Sequence, residues 1–196
     1  ARAVIYKLRY PEKVRYKEPA SKNYAHHVYE QYILRNQNLA ANYLQLIGDV
    51  LHGTYLKDWV KGERFLVFCA SIEMCTVVQS YLRNLLPHLD IQRYVEEDPF
   101  ENLTIGDGCV STLLSAGTAV DIDNLTTVVM TTCVSSSQSN VQGFGRLRKL
   151  KTTRVPMFLY FCCEDVDKQV SYHEKKRLLL EDRAITYGID FINQLL

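Results

Sequence analysis

The sequence predicts an α/β fold, a three-layer sandwich with a mainly parallel central sheet. Three observations point to it. Short apolar runs such as Phe65-Leu66-Val67-Phe68-Cys69 are continuous rather than alternating in polarity, as strands covered on both faces must be. They alternate with segments of helical periodicity, and the loops between them are rich in small and polar residues.

Taken in order, Ala3 to Tyr10 reads as an edge strand and Tyr24 to Arg35 as a helix. From Asn38 onward, Leu39, Tyr43, Leu46, Ile47 and Val50 recur at the spacing of an amphipathic helix, which Gly53 is expected to end. After a Lys61-Gly62-Glu63 turn comes the run 65–69, expected as a central strand. Ser71 then offers an N-cap oxygen with Glu73 in the first turn, and Cys75, Val78, Leu82 and Leu85 line one face until Pro87 stops the helix. Further strands are expected at Ile91 to Val95, Cys109 to Leu113, Thr127 to Cys133 and Met157 to Cys162, with a serine loop at 135–137 and a helix near Gln138 to Arg148 before the last. Tyr172 to Leu180 and Ile189 to Leu196 both read as helical. The organisation is thus a lead-in of strand and helix over 1–36, a principal unit over 37–163, and a helical extension of the same domain over 164–196.

With 196 residues, 47% of them hydrophobic and 23% charged, the composition excludes a disordered tail, a collagen-like repeat and a disulfide scaffold. The longest apolar run, Val155 to Cys163, falls far short of the roughly 20 residues of a membrane helix. No membrane partner is expected. A net charge of +1 does not advertise a polyanion partner, but Arg146, Arg148, Lys149, Lys151 and Arg154 lie between Gly143 and Pro156 with no acid among them, which predicts a locally basic face. Glu96, Glu97, Asp98 and Glu101 form an acidic stretch. Six cysteines without a CxxC pair, and no secretory signal, predict a reduced chain in the cytoplasm, the host's if the source is viral. Starting at Ala1 rather than Met, the chain reads as a processed or excised piece of a longer protein.

In parallel α/β sheets ligands collect at the carboxyl ends of strands, here the loops 70–72, 112–119 and 134–140. Ser71, Thr112, Ser115, Gly117 and Thr118 can approach a phosphate closely, and the helix after Ser71 supplies free amides and a favourable dipole. Ser71 would equally be needed as an N-cap whatever the function.

The order LVFCAS (66–71), VSTLLSAGTAVDIDNL (110–125) and QSNVQGFGRLRKL (138–150) resembles motifs IV, V and VI of the second RecA-like domain of superfamily-two helicases and translocases. The stretch Tyr172-His173-Glu174-Lys175 and the wording of motif V are similar to those of phage-encoded DNA repair and recombination helicases. The resemblance implies a RecA-like sandwich, with 37–163 as a helicase C-terminal domain. It implies that Arg146, after Gln142 and Gly145, is the arginine finger, and that Gln142 belongs with it in the catalytic motif. It further implies nucleotide contacts from Gly117, Asp121, Arg148 and Lys149, and nucleic-acid contacts from Ser71 and Thr112. The family's second arginine falls at Lys149, with Arg148 one residue early, and Ala119 stands where motif V commonly has glycine.

No GxxxxGK[ST] loop and no Asp-Glu pair after a strand occurs, so the resemblance implies half of an ATPase: ATP and Mg²⁺ would be held mainly by an N-terminal RecA-like lobe of the same polypeptide, and this chain alone should be inactive. The implied track is nucleic acid, DNA ahead of RNA. The alternative is a catalytically inactive RecA-like nucleic-acid-binding or interaction module. Scattered histidines offer no metal site, Tyr94 reads as packing rather than as a base-stacking residue, and no GxGxxG follows the first strand.

Overall fold

The computed structural model describes residues 2–8, 23–116, 121–134, 147 and 154–191. Among the described residues, seven strands are joined with four α-helices in the order β1 (Arg2–Leu8), α1 (His26–Arg35), α2 (Gln37–Leu51), β2 (Arg64–Cys69), α3 (Ile72–Leu85), β3 (Ile91–Tyr94), β4 (Gly108–Thr112), β5 (Leu125–Met130), β6 (Met157–Cys163), α4 (Asp167–Arg183) and β7 (Thr186–Phe191). The sheet order is β3-β4-β2-β5-β6-β1-β7, and every pairing is parallel.

The continuous apolar runs divide between two cores. From β2, Phe65, Val67 and Cys69 enter the core under α1, α2 and α3, while Leu66 and Phe68 enter the opposite one. From β6, Leu159, Phe161 and Cys163 go one way and Phe158, Tyr160 and Cys162 the other, joined by Leu180 of α4. Strand side chains alternate in direction, so a strand buried on both faces has no polar positions to spare. Gly108 is required by closeness: a Cβ there would lie 2.1 Å from the Phe65 ring of the neighbouring strand. All six cysteines are buried and free.

The structure corrects several sequence expectations. β1 is not an edge strand; it lies between β6 and β7, because Thr186 to Phe191 forms a strand where a helix was expected from Ile189. Ile185, Thr186, Tyr187 and Ile189 are strand formers, and the outer rim of β1 otherwise lacks a partner. Gly53 does not end α2. The chain continues as a π-helical turn over His52–Leu56, in which the Thr54 hydroxyl donates to the Val50 carbonyl (2.6 Å) and the buried Tyr55 hydroxyl donates to the Glu63 carbonyl (2.6 Å). Gly62 of the following turn has φ +95°, a conformation glycine adopts without strain. In α3 the inner face is Met74, Cys75, Val78 and Leu82, whereas Leu85 is 46% exposed.

Arg154 does not belong to a basic face. Its guanidinium pairs with the Glu63 carboxylate and donates to the carbonyls of Asp58 (2.7 Å), Thr54 (2.9 Å) and Tyr55 (2.7 Å), so the π-helical turn is its socket. A planar fork with several donors can satisfy that many acceptors, and an ammonium on a flexible stem cannot. Arg154→Ala leaves Glu63 buried and unpaired and should cost about 3–5 kcal/mol, with Arg154→Lys recovering only part, as read from urea denaturation midpoints.

Candidate functional site

In the sheet order the chain moves from β2 through α3 to β3 in one lateral direction and from β5 to β6 in the other. β2 and β5 are neighbours, so their carboxyl ends flank a topological switch point, where ligands of parallel α/β sheets bind.

After β2 the chain turns at Ala70-Ser71. The Ser71 side chain caps α3, its Oγ accepting from the Met74 N–H (3.2 Å). Beneath this turn lies Glu30 of α1, fully buried. Its Oε1 accepts from the Ala70 N–H (2.8 Å), and its Oε2 accepts from the Ser71 N–H (2.7 Å) and from the Ser71 hydroxyl (2.7 Å). The Thr131 hydroxyl, just past β5, lies 3.3 Å from Oε1 and 3.1 Å from the Phe68 carbonyl, which also accepts the Thr131 N–H (2.9 Å). Tyr43 of α2 donates its hydroxyl to the Thr131 carbonyl. One carboxylate therefore ties α1 to the loops after β2 and β5. Burial pushes the Glu30 carboxyl up to about 7, against the opposing pull of the hydrogen bonds from Ala70, Ser71 and Thr131.

At the end of β4, Thr112 is 7% exposed. Its Oγ1 accepts from the Ser115 N–H (3.1 Å) and donates to the Ser115 hydroxyl (2.8 Å), which in turn accepts from the Glu96 N–H (3.3 Å). The Ser111 hydroxyl donates to the Tyr94 carbonyl, and Tyr94 packs edge-on against Phe100 at 6.1 Å. Arg93 grips Asp98 through two donors at 2.9 Å each and donates to the Thr76 hydroxyl (2.7 Å). That hydrogen bonding holds Asp98 below the usual carboxylate range, so part of the acidic stretch serves the fold.

Of the residues expected from sequence, the structure brings Ser71 and Thr112 to the carboxyl edges of strands that pair with each other, β2 and β4. Asp121 is exposed on the segment that enters β5. Arg146, Gln142, Gly117, Arg148 and Lys149 lie outside the described residues, as does the helix expected near Gln138 to Arg148. Leu147 is described, and it packs against the core on the α4 face.

Sequence reasoning missed Glu30, which reads as one more polar residue of a helix. The available signal was its position on the inward stripe with Tyr29 and Ile33. It also missed Lys176 of α4, buried with its ammonium 4.2 Å above the Tyr160 ring and with no hydrogen-bond partner among the described residues. Burial lowers the pKa of that amine. Histidines are used locally: His26 Nδ1 is 2.7 Å from the Tyr24 hydroxyl, and burial lowers its pKa to about 4, while His173 Nδ1 is 3.0 Å from the Tyr160 hydroxyl. Among the described residues no group of His, Cys, Asp or Glu could hold a metal, and no helix is long and apolar enough to cross a membrane.

No protein-family model matches the chain, and no curated protein matches it. Solved structures do. The chain is similar to UvsW of T4, with a TM-score of 0.67 at 15% identity over 99% of this chain and 42% of that one. It is similar to domain 2 of the DEAD-box helicase Mss116p bound to an RNA duplex, with a TM-score of 0.60 at 12% identity, covering 99% and 64%. The E. coli DEAD-box protein SrmB follows, with a TM-score of 0.56 at 12% identity, covering 97% and 90%. The fold is therefore the RecA-like fold of helicase C-terminal domains, and the chain spans less than two thirds of the length of the UvsW and Mss116p chains.

Because the folded Glu30 carboxyl keeps its proton up to about pH 7 and the unfolded one does not, the folded state binds the extra proton. Its contribution to stability is complete below the unfolded carboxyl pKa and is lost as pH rises through about 7. Urea midpoints should fall between pH 5 and pH 8 in the wild-type chain, and Glu30→Gln should flatten that part of the profile.

Proposed function

We propose that the chain is the second RecA-like lobe of an ATP-dependent nucleic-acid helicase or translocase. One observation carries this reading: the segment resembling motif IV ends at the carboxyl edge of β2 and the one resembling motif V passes the adjacent carboxyl edge of β4, beside the switch point, in a fold similar to helicase C-terminal domains. A lobe of this kind has no phosphate cradle of its own. ATP and Mg²⁺ would be held by a partner lobe of the same polypeptide, and Arg146, with Gln142 in the same motif, would reach the γ-phosphate from this one. A guanidinium placed there stabilises charge that develops during phosphoryl transfer, and because it comes from the opposite lobe, chemistry is coupled to closure of the cleft.

Asp121 and Gly117, with Arg148 or Lys149, would complete the nucleotide side, and the loops bearing Ser71 and Thr112 would carry the backbone of the strand. Closing and reopening the cleft moves those contacts along the track. RNA is favoured by the likeness to the domain of Mss116p bound to an RNA duplex, whereas the motif wording favours DNA. A second reading, a binding module without catalysis, is favoured by Lys149 and Ala119 at positions where the family commonly has arginine and glycine.

The isolated chain, freed of contaminating ATPases, should fold and show no ATP turnover, since it carries a finger and no cradle. In the two-lobed protein, Arg146→Ala should leave nucleotide binding largely intact and cut nucleic-acid-stimulated hydrolysis by about 10³ or more, with Arg146→Lys restoring little. Absence of stimulated hydrolysis in the wild-type two-lobed protein would favour the binding module, and unchanged hydrolysis in Arg146→Ala would move the finger elsewhere.

A further inference from the structure

Two thiols and one amine meet in the core on the α4 face and serve no part of the function proposed above. Cys133 lies three residues past β5, and Cys162 is in β6, the neighbour of β5 in the sheet. Both side chains enter the same core, both are buried and free, and their thiols hydrogen-bond to each other. Lys176 of α4 is buried beside them, its ammonium 4.2 Å from the centre of the Tyr160 ring and 5.9 Å from that of Phe158. The rings offer a cation–π contact, and Nζ has no hydrogen-bond partner among the described residues. A buried ammonium left so needs an anion, and the groups whose negative charge stabilises this one are Cys133 and Cys162. Cys69 and Cys75 supply the comparison. They too hydrogen-bond through their thiols, in the core under α1, α2 and α3, but burial, with Cys75 and the Glu30 carboxyl, pushes the Cys69 thiol up. Burial likewise pushes Cys109 and Cys163 up to about 12. Cys133 goes the other way: against burial, the Cys162 thiol and the Lys176 ammonium lower its pKa.

We propose that Cys133 and Cys162 are a redox-active dithiol that hydrogen peroxide closes to a disulfide, with Lys176 as the counter-ion that readies Cys133 for attack. The Cys133 thiolate takes one oxygen of the peroxide: an S–O bond forms, the O–O bond breaks, and the departing hydroxide takes up the proton the thiol released and leaves as water. The Cys162 sulfur then attacks the sulfenic acid; the S–S bond forms, the S–O bond breaks, and the hydroxyl leaves with the Cys162 proton as a second water. The two thiols lose two electrons in all, and one peroxide is reduced to two waters. Both sulfurs are buried, so local opening of the fold admits an oxidant as small as hydrogen peroxide and excludes bulky disulfides. The bond clamps the chain leaving β5 to β6 two residues past Thr131, at the carboxyl edge, and a thiol reductant releases it.

Thiol mapping of the full chain tests this. The reduced chain is treated with hydrogen peroxide under native conditions, then denatured, alkylated at its remaining free thiols and mapped by mass spectrometry without reduction. One intramolecular link should appear, between Cys133 and Cys162, with Cys69, Cys75, Cys109 and Cys163 alkylated, and dithiothreitol should reverse it. In Cys162→Ser the reaction should stop at the sulfenic acid, and dimedone should label Cys133 alone. Lys176→Met, which replaces the buried charge by an apolar chain, should slow the link about five- to tenfold, the change in thiolate fraction that roughly one pKa unit makes. Cys69→Ser should link as fast as wild type. Absence of the link in the folded wild-type chain overturns the proposal, as does a Cys69–Cys75 link forming equally fast or an unchanged rate in Lys176→Met. Should Lys176→Met not fold, dimedone labelling of Cys162→Ser decides alone: label on Cys133 ahead of the other cysteines supports the proposal, and label spread evenly over them refutes it.

Discussion

A parallel sheet imposes one constraint from which the rest follows: every strand runs the same way, so every strand delivers its following loop to the same edge. Here seven strands obey it, and the loops after β2, β4 and β5 are forced side by side. Residues at 71, 112 and 131, far apart in the chain, become neighbours for no reason other than strand direction and order. The reversal of strand order between β2 and β5 makes that edge a switch point, where parallel α/β sheets bind ligands.

What holds that edge in shape is polar, not apolar. The two cores fix the strands, but a loop beyond a strand end has only its own hydrogen bonds to rely on. Glu30 supplies acceptors for the loop after β2 and a link to the loop after β5; the Thr112–Ser115–Glu96 chain does the same between β4 and β3. At the opposite end of the sheet Arg154 plays the corresponding part, joining the chain ahead of β6 to the turn after α2. Arg154 is a largely buried charge whose partners are mostly backbone carbonyls, and Glu30 is a buried carboxyl that accepts from the Ala70 and Ser71 amides. Such a charge is costly to bury and much costlier to leave unpaired, which makes it a strong constraint on local geometry.

The parts of this design that were legible in the sequence are those set by local pattern. β2 and β6 were visible because burial on both faces leaves a continuous apolar run, and α3 because Ser71 caps it and its apolar residues recur at helical spacing. β7 was misread because Ile189 onward shows apolar spacing compatible with a helix, and only the unpaired rim of β1 decides for a strand. The π-helical turn past Gly53 depends on Arg154, a hundred residues away, and so left no local trace. Glu30 and Lys176 were invisible for the same reason. A charged residue on a helix reads as solvated until the packing of other elements closes over it.

The central claim is that ligand meets this chain at the carboxyl edge, beside the switch point between β2 and β5. Photo-crosslinking of the two-lobed protein to a single-stranded oligonucleotide carrying 4-thiothymidine, followed by peptide mapping, tests it most directly. The account predicts crosslinks in the peptides around 70–76, 112–116 and 131–134. Crosslinks confined to the opposite edge, in the turns around 60–64, 104–108 and 122–125, would contradict it.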